Sequence, residues 1–313
     1  ENFRFDTKYF DTRCYLMNLL ENRSKEIICN KQNLYFNFNK FIPAKCREYM
    51  AESWELSVFI HNQDLQRRIT ENNEVFIVRP AGVGAWGGRD IYVVNNLAAL
   101  KMATRQTKKY NKVLISKYID NPLLLDNRKF HVRLYFLVGL IDGYFVSEML
   151  GFFKLFKAVS PYKKADWINA DIHDTHFRGN DIDLIYPYIE PPHGIANTKD
   201  NQQVIKNMKN IYIPKFKDCL HEISMMIKDQ IAKYEQSTNA FEVFGCDFLI
   251  TDDDNIVLME INDKVEYGCA TTEGTILLSQ LYMKSIIDAI IEPLMKNIPI
   301  THHQWLFIDK IIS

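Results

Sequence analysis

Short β-branched runs, glycine clusters and helix-period stretches follow one another along the chain and divide it into elements. Val75-Phe76-Ile77-Val78 is stopped by Arg79-Pro80, which predicts a strand with an abrupt end. Ile91 to Val94 predicts a second strand. Asn95 or Asn96 then caps a helix running to about Tyr110, and a third strand covers Lys112 to Ile119. Residues 129–138 alternate and then turn wholly apolar, the pattern of a strand entering a core. Asp142-Gly143 reads as a hairpin turn, with the strand continuing from Tyr144 to Phe153. Residues 158–200, rich in His, Asp, Asn and Pro, predict a long ordered loop, of a length that in a compact domain is usually functional or mobile. An amphipathic helix covers most of 203–235, two strands occupy 241–250 and 256–262, and a last helix spans about 274–296. The class this predicts is α+β, with antiparallel sheets and helices packed on them.

At 313 residues the chain is long enough for two or three subdomains around a shared cleft. The texture divides it into an N-terminal subdomain (1–73), a central subdomain (74–125) and a C-terminal subdomain (126–313). A net charge of -1 supplies no bulk field for nucleic acid or an anionic membrane, so neither is expected as a partner. No apolar stretch is long enough to span a bilayer. None of the six cysteines form a CxxC pair, which argues against a zinc site or redox dithiol and for small reduced core residues in a cytoplasmic setting.

The most informative segment is the strand pair Phe241 to Ile250 and Ile256 to Asn262. A four-residue loop at Asp252 to Asn255 would pair Thr251 with Ile256 and, counting inward, Asp247 with Glu260. Asn262 then shares the face of Glu260. In that register Phe244, Cys246, Phe248, Val257, Met259 and Ile261 point one way, and Leu249, Ile256 and Leu258 share the acidic face. Two buried carboxylates opposite each other repel, so a cation must offset them. Two carboxylates and an amide oxygen suit Mg²⁺; a nearby lysine or arginine is the other solution. The acidic tip, Asp252 to Asp254, reads as a solvated turn without a role.

The segment after Arg79-Pro80 holds Gly82, Gly84, Gly87 and Gly88. Set between two strands, such a loop suits a lid whose backbone N–H groups approach phosphate oxygens. It is neither a Walker A loop nor a dinucleotide fingerprint, since no Gly-Lys-Ser/Thr follows and no helix starts at once. Arg79 and Lys117 flank it and could meet phosphate.

Taken in order, these blocks resemble the tubulin tyrosine ligase-like family from about Val75 to Tyr267. The strand before Arg79-Pro80 with its glycine loop is similar to that family's strand, Lys-Pro and glycine loop. Leu114 to Leu125 with Arg128 to Arg133 resembles its adenine hinge and following strand. Phe241 to Phe248 with Leu258 to Asn262 resembles its metal hairpin. The resemblance implies an ATP-grasp fold with the nucleotide between the central and C-terminal subdomains. It implies ATP and Mg²⁺ as cofactors: Lys117 at the nucleotide, the backbone of Tyr118 and Ile119 at the adenine, Arg79 at phosphate, and Asp247, Glu260 and Asn262 at the metal. Arg133 matches an arginine near the amino-acid substrate, and Lys157 lies near an arginine facing the transferred phosphate. Asp174-Thr175-His176 resembles a substrate-side loop, which makes His176 a catalytic candidate.

The sequence also departs from the family pattern. Arg79 stands where lysine is usual, His131 where aspartate is, and Asp263 to Glu266 replace a Ser-Pro. The implied reaction joins an amino acid of the glutamate, glycine or tyrosine class to a protein or peptide acceptor through an acyl-phosphate. Tubulin is one candidate acceptor. His131, His173 or His176 could relay a proton. Two other readings share the nucleotide site: an ATP-binding regulatory module without turnover, and a kinase that phosphorylates a hydroxyl.

Overall fold

The computed structural model describes residues 16–17, 22–81, 90–141, 144–164, 166, 169–175, 182–185, 204–231, 240–263, 273–288 and 305–312. Strand β1 (Leu16–Met17) precedes helices α1 (Asn22–Cys29) and α2 (Lys31–Phe41) and a 3-10 turn at Ala44–Tyr49. Asn30 caps α2, its side chain accepting from the N–H groups of Gln32 and Asn33. Next come β2 (Ser53–Glu55), α3 (Leu56–Phe59), α4 (Gln63–Thr70), β3 (Phe76–Pro80), β4 (Tyr92–Val94), α5 (Leu97–Thr107) and β5 (Val113–Lys117). Of the two candidate caps of α5, Asn96 holds the position, accepting from the Ala99 N–H at 2.8 Å.

Strands β2, β5, β3 and β4, in that order, form a four-stranded antiparallel sheet. Leu56, Phe59, Ile69, Phe76, Val78 and Leu100 make its core, with Trp54, Phe59 and Phe76 edge to face.

A tight hairpin links β6 (Leu124–Leu125) to the central strand β7 (Arg128–Ile141). Asp126 and Asn127 turn it at φ of 52° and 58°, values these two residue types tolerate. β7 leads to β8 (Tyr144–Leu150) and β9 (Phe153–Lys157). The expected single strand from 144 to 153 is therefore two, broken at Gly151. β8 continues along the β7 edge where β9 leaves it, with Phe136 against Met149 and Arg133 against Lys154. Within the expected long loop lie α6 (Ala170–His173) and β10 (Ile182–Ile185), the latter paired with β9.

A wide π turn, Met208–Tyr212, opens α7 (Ile213–Ile231). Pro214 has no N–H to give a residue one turn back, and its ring crowds that carbonyl, so the helix loosens there. β11 (Ala240–Ile250), β12 (Ile256–Asn262), α8 (Glu273–Ile286) and β13 (Trp305–Ile312) complete the chain. The pattern of the sequence gave no expectation for β13; it pairs with β8.

Nine strands join into one sheet among the described residues, antiparallel except where β1 runs parallel to β11. Its helix-covered face carries Phe130, Val132, Leu134, Phe136, Phe244, Cys246, Phe248, Ile250, Ile256 and Leu258. Against them pack Phe216, Leu220, Ile223 and Ile227 of α7, Leu34 and Phe38 of α2, and Ile28 of α1. Each fully buried side chain of this size contributes roughly 1.5–3 kcal/mol. Residues 22–50 thus pack on the large sheet and 53–70 join the small one, so the segment expected as one N-terminal subdomain is shared between the two sheets. The architecture is α+β, mixing helices with antiparallel sheets. No helix among the described residues is long and apolar enough to cross a membrane.

Candidate active site

The face of the large sheet opposite α7 carries the polar chemistry. Along β7, Lys129, His131 and Arg133 recur at every second residue and so share that face. Arg133 pairs in register with Asp247 of β11, and Asp247 with Glu260 of β12. The expected facing of the two acids is present, but the route to it differs. Ile250, not Thr251, pairs with Ile256, and Met259 bulges out between the Phe248–Leu258 and Asp247–Glu260 pairs. The extra residue shifts the register by one and reverses the facing beyond it. Ile256 and Leu258 therefore enter the apolar core rather than the acidic face. The loop is one residue longer than expected, closed by Thr251, which donates its N–H to the Asn255 carbonyl at 2.9 Å.

Asp247 is fully buried and Glu260 nearly so. Asn262 bridges them, its Nδ2 3.4 Å from Asp247 Oδ2 and 3.2 Å from Glu260 Oε1. The cation that burial demands comes from the chain itself. Arg133 grips Asp247 in fork fashion, Nε on Oδ1 and a terminal nitrogen 2.7 Å from Oδ2. Burial works against the Arg133 charge, but Asp247 outweighs it and drives the guanidinium pKa up. Gly245 makes the grip possible: a Cβ there would lie 3.1 Å from Arg133 Cδ.

Lys31, from the first turn of α2, places its Nζ 2.7 Å from Glu260 Oε2. Arg79, opposite Leu114 at the end of β3, feels Glu260 as well, while its buried Nε has no hydrogen-bond partner among the described residues. Burial lowers the Arg79 pKa and Glu260 opposes that. Among the described residues, three cationic side chains thus act on these two carboxylates.

His131 lies between the acids and the loop after α6. Its Nδ1 is 2.6 Å from Thr175 Oγ1, its Nε2 3.8 Å from Asp247 Oδ1, and its ring stacks on Phe156 with centroids 4.8 Å apart. Lys129 is buried and its ammonium donates to Tyr118 Oη at 3.0 Å. Burial lowers its pKa to about 8, with Asp174 working the other way. The Tyr118 hydroxyl lies 2.7 Å from His173 Nδ1, whose Nε2 is 2.9 Å from the Asp166 carbonyl. That carbonyl can only accept, so Nε2 carries the hydrogen and Nδ1 accepts from Tyr118. Burial, then Lys129, lowers the His173 pKa.

The sequence-predicted residues therefore fall into groups. Arg79, Arg133, Asp247, Glu260 and Asn262 come together. Lys117 meets Glu74 at 3.4 Å at the exposed end of β5, beside Arg68, and Tyr118 donates its backbone N–H to the Val75 carbonyl. Ile119 follows in the connection between the sheets. Lys157 pairs in register with Phe130, not with His131 or Arg133, and its ammonium lies 3.2 Å from Asp126. His176 and Gly82, Gly84, Gly87 and Gly88 lie outside the described residues. Sequence reasoning missed Lys31 and Lys129. The period-2 spacing to His131 and Arg133 could have found Lys129; nothing local ties Lys31 to Glu260.

The donor set suits a hard divalent ion. Glu260 and Asn262 carry the oxygens that could take such an ion, and Arg79, whose Nε has no hydrogen-bond partner among the described residues, is near enough to feel the Glu260 charge. Asp247, held by Arg133 through both oxygens, would orient this pair from beneath.

The family model described as the tubulin-tyrosine ligase family matches residues 16–298, and the chain belongs to that family. It is 27% identical over 187 residues to a Schizosaccharomyces pombe protein named as a probable tubulin–tyrosine ligase, covering 57% of this chain and 42% of that one. It is 28% identical over 233 residues to tubulin glycylase 3C of Tetrahymena thermophila, covering 70% and 21%. It is 25% identical over 277 residues to a protein monoglycylase of Mus musculus, covering 83% and 32%. The chain thus spans less than half the length of each of these three relatives.

Proposed function

We propose that the chain is an ATP- and Mg²⁺-dependent ligase that joins the amine of one partner to the carboxylate of another, adding an amino acid to a protein or peptide. The observation that carries this reading is the convergence of Asp247, Glu260, Asn262 and Arg133 on one face of the large sheet, with Arg79 of the small sheet near enough to feel the Glu260 charge. Family membership supports the reaction type, and the two glycylases among these relatives suggest glycine as the amino acid, with glutamate and tyrosine as the other classes the family resemblance implies. The acceptor is a protein or peptide, tubulin among the candidates.

A substrate carboxylate oxygen attacks the γ-phosphorus of ATP and ADP leaves. The amine then attacks the acyl carbon, phosphate departs with the C–O bond electrons, and the amine nitrogen loses a proton. Arg79 would take charge on the phosphoryl group through its buried Nε. Lys129, whose lowered pKa brings it near neutrality, would hold or accept a proton, with Tyr118 and His173 fixing its direction. Glu260 and Asn262 would hold the divalent ion, which supplies charge neutralisation at the phosphates. Arg133 fixes Asp247 through both carboxylate oxygens.

Replacing Glu260 by Gln tests the reading. ADP release that depends on both an amino acid and a protein or peptide acceptor should fall by about 10²-fold or more. Wild-type turnover in that variant would overturn the proposal. The regulatory-module reading draws on one observation, that Arg133 and Lys31 already neutralise both acids. It requires that ATP bind without any turnover across amino acids and acceptors. A phosphorylated product formed without an amine would favour a kinase instead.

A further inference from the structure

Lys31 is the first residue of α2, and its ammonium lies 2.7 Å from Glu260 Oε2. Two features aim it there. Asn30 caps the helix at 3.0 and 3.2 Å to the next N–H groups, fixing the first turn, and the neighbouring Gln32 amide binds the Glu55 carboxylate on the small sheet. The position is costly for a cation, because a helix N-terminus carries partial positive charge and this first turn holds no acidic residue. The Lys31 charge is therefore balanced by Glu260 rather than by its own helix.

Glu260 Oε1 accepts from the Asn262 amide and Arg133 holds both oxygens of Asp247, so a divalent ion joining this cluster at Glu260 Oε2 would compete with the Lys31 ammonium. We propose that Lys31 is a positioning residue that stands in for the divalent ion: it holds Glu260 while the cleft is empty and resists a bare cation there. The inference rests on the ligase reading only in assuming that a metal binds at Glu260. A divalent ion on that oxygen would sit beside the ammonium at close range, and the two repel. A triphosphate arriving with the ion offsets the repulsion, so Lys31 makes metal binding depend on nucleotide.

The test uses the full chain and Mn²⁺ as probe, followed by electron paramagnetic resonance or calorimetry, with and without a non-hydrolysable ATP analogue. Lys31→Met should bind Mn²⁺ alone about three- to tenfold more tightly than wild type, the scale set by a partly exposed ion pair. The ratio of Mn²⁺ affinities with and without the analogue should shrink by the same factor. Lys31→Arg, which keeps the charge, should behave as wild type, and far-UV circular dichroism melts check that both variants fold. A Mn²⁺ affinity in Lys31→Met equal to or weaker than wild type overturns the inference and leaves the ligase reading intact. Failure of wild type and Lys31→Met alike to bind Mn²⁺ with the analogue overturns the metal at Glu260, and this inference with it.

Discussion

Gly245 and Lys129 show how single residues are committed to the polar face. Gly245 sits in mid-strand, where glycine is unfavourable, because the Arg133 side chain crosses above it on the way to Asp247. In Gly245→Ala the new methyl would press on an arginine pinned by both carboxylate oxygens. The expected loss is about 1–2 kcal/mol, read as a lower urea midpoint with an unchanged slope; an unchanged midpoint would show that Arg133 is free to move. Lys129 carries a pH signature. Its folded pKa, near 8, lies below the ordinary 10.5, so between those values the unfolded chain binds more protons than the folded one. Stability therefore carries the burial penalty in full below pH 8 and gains as pH rises toward 10.5, by about 3 kcal/mol at most. Lys129→Met lacks this term. The stability difference between wild type and variant should move in favour of wild type across pH 8–10, measured by urea unfolding at each pH.

At the scale of elements, much was legible. The strands now seen as β3, β4, β5, β7, β11 and β12, and the α5 helix with its Asn96 cap, follow from apolar runs and their stops. What local pattern could not supply was register. Counting from a four-residue loop brought Asp247 opposite Glu260, yet it placed Ile256 and Leu258 on the wrong face. The longer loop and the Met259 bulge are two one-residue shifts that cancel at the acids and do not cancel between them. A bulge leaves no mark in composition, because its extra residue is an ordinary apolar one. The break at Gly151 that divides β8 from β9 was equally hidden within a continuous apolar stretch. Lys31 was out of reach for a different reason: its partner lies more than two hundred residues away, and only the packing of α2 on the large sheet brings them together.

Across the whole molecule, the acidic hairpin tip that reads as plain solvated turn is a fastening. Asn121, in the connection between the sheets, donates to Asp252 Oδ1 at 2.7 Å, and its carbonyl accepts the Asp252 N–H at 2.9 Å. Leu123 donates its N–H to the Ile250 carbonyl at 2.8 Å, and Pro122 bridges to Thr251. On the other side Tyr212 donates to Asp254 Oδ1 at 2.5 Å and Lys215 to the Asp254 carbonyl at 2.7 Å. The connection between the sheets, the hairpin bearing Asp247 and Glu260, and α7 are thus tied at one point. A ligand held by residues of both sheets would meet a frame whose halves do not drift independently. Asp252→Ala removes the Asn121 side-chain bond but leaves the backbone pair, so global stability should fall by only about 1 kcal/mol. The larger effect should be local: amide exchange over residues 119–123 should rise while β7 and the middle of β11 keep their protection. Hydrogen exchange read by mass spectrometry separates the outcomes. Unchanged exchange at 119–123 would mean that the connection is held by its backbone pairs alone, and faster exchange throughout β7 would mean that the tip supports the large sheet rather than its junction with the small one.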